Sequence, residues 1–353
     1  MLILGIETSC DETAMAVVVV QSVKRKVKNI KVLSNIVSSQ VKLHAPYGGV
    51  VPHLAAREHE KNLPVVFKRT LKTAGVKMSD IDLIAVTAGP GLAPALWRGV
   101  NFANALAEEE NKPLIATNHL AGHIYSNWLW PVGITNHPSS ITQQFPILHL
   151  IVSGGHTQLI LMKGIGKYQL IGETVDDAAG EAFDKIARLL KLGYPGGPAI
   201  SKIAGRGDAA KFSLPRPMLH SKDLNFSFAG LKTAVLYLTR QLGKMGKQTV
   251  ADVAASAQTA IVAVLVTKAA KAAKQYASKS IMLSGGVSAN RLLRERLIAL
   301  GKELDLPVLV PPLEYTGDNA AMIALAGYFA TQNVKRKAKK TKPIQADANW
   351  ELC

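Results

Sequence analysis

The chain has 353 residues, of which 48% are apolar, enough for about two domains with sizeable cores and too apolar for a disordered or fibrous chain. Its two cysteines, Cys10 and Cys353, exclude a disulfide framework and fit a reducing compartment. A net charge of +17, from 42 Lys and Arg against 25 Asp and Glu, favours a polyanionic partner, with nucleic acid the first to consider.

No basic segment followed by an apolar run and a cleavage pattern trails Met1. The longest apolar stretches, such as 14–20 and 260–266, are too short to span a bilayer. A cytoplasmic protein with no membrane partner is expected.

In chain order, residues 2–7 read as a strand, 8–13 as a polar turn and 14–20 as a second strand. Helices are expected at 55–73, with Pro64 inside, and at 95–109 after the Gly89-Pro90-Gly91 turn. Residues 131–144 are polar and Pro-interrupted and read as a surface loop. A strand at 148–153, the turn Gly154-Gly155-His156-Thr157 and apolar 158–162 repeat the opening pattern. Helices follow at 179–192, ended by Gly193 and Pro195, and at the Ala-rich 250–277. A third version of the strand and glycine turn is 281–283 with Ser284-Gly285-Gly286, leading into a helix at 288–300. This recurrence implies an internal duplication: two α/β halves whose turns face a shared cleft. After Phe329 apolar periodicity is lost, and the tail is expected to be poorly packed until Trp350. It carries the basic run Lys335-Arg336-Lys337-Ala338-Lys339-Lys340-Thr341-Lys342, and 24–31 is a smaller one.

Three features carry candidate chemistry. His119-Leu120-Ala121-Gly122-His123 sets two imidazoles at i and i+4 on one helix face, a workable spacing for a metal ion and also for two packed or capping histidines. Zinc peptidases place a general-base Glu directly after the first His; here that position is Leu120. The glycine turns at 153–155, 196–197, 284–286 and 89–91 each offer backbone N–H groups to an anion, or are ordinary tight turns. They match neither the P-loop nor the Rossmann pattern, so another nucleotide fold is implied. Acids accompany the turns: Asp11 and Glu12, then Asp176, Asp177, Glu181 and Asp184, then Asp318. Asp177, Glu181 and Asp184 are spaced to share a helix face, which requires an opposing cation or hydroxyl unless the face is simply solvated. In Phe226-Ser227-Phe228-Ala229-Gly230-Leu231-Lys232 the two rings read as core.

Gly5-Ile6-Glu7-Thr8-Ser9-Cys10-Asp11-Glu12-Thr13, the two-histidine segment, 152–157, Ala182-Phe183-Asp184-Lys185, Pro195-Gly196-Gly197-Pro198, 226–232, 284–290 and Thr316-Gly317-Asp318-Asn319 occur in one order. Together they resemble the universal TsaD/Kae/Qri family, the tRNA adenosine threonylcarbamoyltransferases, over nearly all of 1–329. His156 stands where archaeal relatives tend to carry Asn, on the side of the bacterial and organellar TsaD branch.

The resemblance implies the ASKHA fold of actin, hexokinase and Hsp70, with two duplicated RNase H-like lobes around a nucleotide cleft. It places an N-terminal lobe at 1–125, a C-terminal lobe at 126–330 with a helical insertion near 175–250, and a basic tail at 331–353. Asp318 would join His119 and His123 as metal ligand, a set suited to iron(II), the ion usually described for the family, or to zinc. Ile151, Val152, Ser153, Gly154, Gly155, Asp184, Gly197 and Asn290 would bind substrate, Asp184 through the ribose hydroxyls of an adenylate.

The implied reaction moves a threonylcarbamoyl group from threonylcarbamoyl-AMP to the exocyclic amine of adenosine 37, in tRNAs reading A-starting codons. That amine is a poor nucleophile, so Asp11 is the expected group for orienting it or taking its proton, with Glu12 second. A TsaB-like paralogue and a TsaE-like ATPase are expected partners beside tRNA. The sequence departs from the family at His53 and Ala56, where Glu and Ser are usual, and at Pro94, where Gly is common. A small-molecule kinase, a metallopeptidase and a non-catalytic scaffold are the competing classes. The histidine pair weighs against the first, Leu120 against the second, and the retained site residues against the third.

Overall fold

The computed structural model describes residues 1–23, 26–130, 144–333 and 343–353. The expected loop at 131–144, but for Gln144, and the basic run at 335–342 lie outside them. Two compact units emerge, one from Met1–Thr142 with Pro311–Cys353 and one from Gln143–Val310.

The first unit opens with β1 (Leu2–Glu7), β2 (Glu12–Val23) and β3 (Lys26–Ser39), followed by α1 (Val41–His44) and α2 (Pro52–Ala74). Next come β4 (Leu83–Gly89), α3 (Ala93–Glu109), β5 (Leu114–Asn118) and the short α4 (His119–Tyr125). β1 pairs antiparallel with β2 and parallel with β4, and the sheet runs β3-β2-β1-β4-β5. β4 is buried throughout, as a parallel strand covered on both faces must be. Leu4, Ile6, Met15, Val17, Ile84 and Val86 pack with Leu63, Val66, Val100 and Ala103 from α2 and α3 into one core.

The second unit holds β6 (Ile147–Val152), β7 (Thr157–Gly164), β8 (Lys167–Glu173), α5 (Ala179–Leu189), α6 (Gly196–Ala204) and α7 (Ala229–Leu242). α8 (Lys247–Gln275), β9 (Ser280–Ser284), α9 (Arg291–Leu304) and β10 (Val308–Leu309) complete it. Its sheet order, β10-β9-β6-β7-β8, repeats the first, with the opening strand central, an antiparallel meander on one side and parallel strands on the other. The inferred duplication is therefore present strand for strand. The apolar stretch 260–266 belongs to the 29-residue α8, which is long and apolar enough to cross a bilayer, yet 72% of its 18-residue apolar window is buried inside the structure. Phe226 and Phe228 are buried there too, as their apolar rings dictate.

α10 (Ala320–Asn333) returns to the first unit, where the expected boundaries put 126–330 in a second lobe. The physical reason is its uniformly apolar surface, which needs a sheet to cover, and Gly5 of β1 lets its backbone come close at Ala320 and Ala324. The tail also differs from expectation. Ile344, Ala346 and Trp350 pack on the first core, and Asp347 N–H bonds to Ala88 O at 2.7 Å while Gly91 N–H bonds to Ala348 O at 3.2 Å. Alternate apolar residues, Ile344, Ala346, Ala348 and Trp350, give this strap an inward face.

Candidate metal centre and ligand site

In the first unit Glu7, Asn118 and His119 stand at or beside the carboxyl ends of the parallel strands β1 and β5. Asn118 caps α4, its side-chain oxygen accepting from Leu120 N–H at 2.9 Å and Ala121 N–H at 3.3 Å. One turn later His123 joins His119 on the same face, ring centroids 4.7 Å apart and nearly perpendicular. Asp318 comes from the loop before α10, whose first turn is capped by Asn319 through Met322 N–H at 3.1 Å. Ligand atoms of His119, His123 and Asp318 lie within 4.8 Å of one another.

These residues fit a metal ion. Asp318 Oδ1 is 3.5 Å from His119 Nε2 and 3.2 Å from His123 Nε2. Two ligands about 2.1 Å from one ion at near-tetrahedral angles stand about 3.4 Å apart. His123 is fully buried and, among the described residues, neither ring nitrogen has a hydrogen-bond partner, a costly arrangement unless something binds there. His119 is oriented from behind: its Nδ1 faces Glu7 Oε2 at 3.1 Å, which turns Nε2 toward Asp318. Glu7 is fully buried and also accepts from Thr87 Oγ1 at 2.6 Å and Ser9 N–H at 2.5 Å. Burial works against its charge, but His119 more than offsets that and holds the carboxyl below its usual range. Burial likewise opposes charge on His119, yet Asp318 and then Glu7 raise its pKa to about 9. Such a carboxylate–histidine pair fixes tautomer and ring orientation for a ligand. Sequence reasoning did not single out Glu7. Its signal was one ionisable side chain closing an otherwise apolar strand.

Asp11 ends the turn between β1 and β2, and Glu12 opens β2, paired with Ser39 of β3. The Asp11 carboxyl is buried beside Glu12 and the Cys10 thiol. Glu12, which accepts from Ser39 Oγ at 3.2 Å, has its pKa pushed well up by burial, then by Asp318 and Asp11. Burial thus favours the protonated form of Glu12 beside Asp11.

In the second unit the expected substrate residues form one contiguous wall. Ile151 and Val152 are buried at the carboxyl end of β6. The Ser153-Gly154-Gly155 turn is closed by Ser153 N–H to His156 O at 2.8 Å, and both glycines face open space. Gly285, at φ +86°, lies so close to the Val152 carbonyl that a Cβ would collide, so two glycine turns abut. Gly180 N–H on α5 reaches Ser153 O at 3.2 Å. One turn further along α5, Asp184 Oδ1 accepts Gly196 N–H at 2.7 Å, beside Gly197 at the start of α6. Burial raises the Asp184 carboxyl, with the two glycine amides opposing. Asn290 caps α9 through Leu293 N–H at 3.0 Å and donates to Ser201 Oγ on α6 at 2.8 Å and Gln258 Oε1 on α8 at 2.9 Å.

The acidic set divides. Asp177 precedes α5 and does not ride on it; Lys185 answers it at 2.6 Å and Glu181 at 2.8 Å, leaving Asp184 for the glycine amides. Backbone N–H groups and a carboxylate at strand carboxyl ends suit a phosphate with attached hydroxyls.

The chain matches the family described as TsaD: tRNA N6-adenosine threonylcarbamoyltransferase over residues 31–325. It is 50% identical over 328 residues to the tRNA N6-adenosine threonylcarbamoyltransferase of Thermosipho melanesiensis, covering 93% of this chain and 94% of that one. To the protein of the same name from Ralstonia pickettii it is 49% identical, covering 100% of this chain and 98% of the other. Among solved structures it is similar to T. kodakarensis HypF, with a TM-score of 0.59 at 15% identity. A full-length HypF in a phosphate- and nucleotide-bound form gives 0.57 at 12%. These alignments cover 94% and 95% of this chain but about half, 48% and 47%, of the HypF chains, and at such identity the likeness is one of fold. With the repeated sheet order it gives the ASKHA architecture of paired α/β units.

Proposed function

The chain belongs to the TsaD family of tRNA N6-adenosine threonylcarbamoyltransferases, and on that premise we propose how its own residues divide the work. As a member it is a transferase that forms threonylcarbamoyladenosine in tRNA. The donor in this reading is threonylcarbamoyl-AMP, and the acceptor is adenosine 37 in tRNAs reading A-starting codons. His119, His123 and Asp318 would hold one divalent ion, iron(II) in preference to zinc. When bound, such an ion supplies Lewis-acid polarisation of an acyl oxygen.

The remaining work falls to the protein. The glycine amides at 153–155 bind the adenylate phosphate, and Asp184 with Gly197 and Asn290 fixes its sugar. Holding donor and amine in line is the larger contribution, because the amine is weak and the anhydride is already activated. Asp11 receives the N6 proton as the carbon–nitrogen bond forms and AMP departs, while protonated Glu12 holds Asp11 in place. The observation that carries the reading is the fully buried His123, without a hydrogen bond to either ring nitrogen among the described residues and with Asp318 Oδ1 3.2 Å from its Nε2. A TsaB-like paralogue and a TsaE-like ATPase complete the working assembly, and the cytoplasm is the compartment proposed.

The test supplies the purified chain, with candidate partner proteins, with threonylcarbamoyl-AMP and unmodified tRNA. Added mass on adenosine is expected. Retention of the nucleotide with no modification under any partner set would overturn the catalytic reading in favour of a scaffold.

A further inference from the structure

Beyond Glu7 and Ala14, where the β1–β2 ladder ends, the turn at 8–11 has backbone groups that the hairpin cannot satisfy. Three of its carbonyls are met from outside, the first at Ser9 O, where Leu92 N–H donates at 2.8 Å. Gln40 N–H donates to Asp11 O at 2.9 Å, and His59 Nε2 of α2 faces Cys10 O at 3.0 Å. His59 is itself held by a line of buried side chains. Val51 N–H donates to His44 Nδ1 at 3.3 Å, which leaves the His44 proton on Nε2 to meet Gln40 Oε1 at 3.1 Å. The Gln40 amide nitrogen then faces His59 Nδ1 at 3.4 Å and Ala55 O at 3.4 Å. Thr13 Oγ1 donates to the same Nδ1 at 2.8 Å. With donors on Nδ1, the His59 proton sits on Nε2 and points at Cys10 O. His44, His59, Gln40 and Thr13 are all buried, and burial lowers the His59 pKa, so the ring is neutral.

We propose that His59 is a positioning residue for the transfer: through the Cys10 carbonyl it fixes the turn that presents Asp11 and Glu12. The inference rests on the assignment of those two acids to the N6 proton. Burial and the nearby Asp318 carboxylate both disfavour negative charge here, and an untethered turn would swing the acids toward water. Three external N–H donors on consecutive carbonyls hold the turn inward, and His59 is the one that comes from a side chain. A misplacement of about 1 Å can cost about a hundredfold in rate, so a neutral tether outside the reacting groups acts on kcat and leaves affinity alone.

The experiment compares the full chain and its variants with partners, threonylcarbamoyl-AMP and tRNA, measuring kcat, both KM values and metal content. His59→Leu should lower kcat about 30- to 100-fold, with KM for each substrate and metal content within about twofold. His59→Gln, whose amide can still donate to Cys10 O, should regain most of the loss. If His59→Leu is poorly folded, Thr13→Val decides: it removes the hydroxyl that sets the tautomer and should lower kcat about 3- to 10-fold without moving KM. Unchanged kcat in folded His59→Leu, or in Thr13→Val, overturns the proposal. So does equal impairment of the Leu and Gln variants. Asp11→Asn separates the two layers. Loss of activity there with a fully active His59→Leu leaves the acid assignment standing and removes only the tether. Full activity in Asp11→Asn and Glu12→Gln removes the acid assignment itself, and the tether with it.

Discussion

At the scale of single residues, the metal centre makes its own pH dependence. Without an ion, His119 has a pKa of about 9 against an ordinary 6.5. Protonation therefore stabilises the metal-free fold fully below about pH 6.5, and that contribution is lost as pH rises through about 9. A cation needs the same Nε2 without its proton, so affinity should run the other way, rising about tenfold per pH unit and levelling near 9. Calorimetry in buffers of different ionisation heat should find about one proton released per ion bound near neutral pH. Zero release would remove His119 from the ligand set. His119→Ala should abolish metal retention without unfolding the chain, and full activity in that variant would take the metal out of the mechanism. Glu7→Gln should leave the ligands in place but weaken metal affinity about 10- to 100-fold. The two histidines were legible because i and i+4 on a helix is a local pattern. Asp318 could be joined to them only through the family resemblance, and Glu7 was missed, since its role depends on strands that pair across the sheet.

At the scale of elements, the same device recurs: Asn118, Asn290 and Asn319 each cap the helix that carries or follows a site residue. A cap satisfies otherwise unpaired N–H groups and fixes where the first turn begins. Asn118 does more, because its amide also donates to Trp350 O at 3.0 Å. The C-terminal strap thus bears on the cap of the histidine helix. Asn118→Ala should cost about 1 kcal/mol in a urea melt and loosen metal binding, while a chain ending at Pro343 should lose more on both readings. Full metal affinity in the shortened chain would show that α4 holds its own start. The strap's alternation of apolar and polar residues was present in the sequence. The neighbouring basic run masks it, because its charge dominates any local average. The smaller basic run hides β3 for the same reason, whereas β1, β6 and the long helices stand out by apolar period alone.

At the scale of the whole molecule, repetition was readable and return was not. Strand, turn and strand recur at a fixed place in each half, so the duplication could be read without contacts. The return of α10 to the first unit could not, because it depends on Gly5 and on a sheet formed about three hundred residues earlier in the chain. Charge is the other global property, and it needs no fold to be used. Of the excess behind the +17, the run at 335–342 holds six basic side chains, so most of it lies elsewhere. A tRNA partner releases bound counterions for each phosphate neutralised, with a log–log salt slope of about −0.7 per contact on single strands and about −0.9 on duplex, the latter calibrated on B-DNA. Binding of unmodified tRNA should therefore weaken linearly with log salt. Replacing the six basic residues by Gln should make the slope shallower without flattening it, because charge elsewhere continues to meet the backbone. A slope that vanishes in that variant would assign all phosphate contact to the run, and a slope that does not move would assign none of it there.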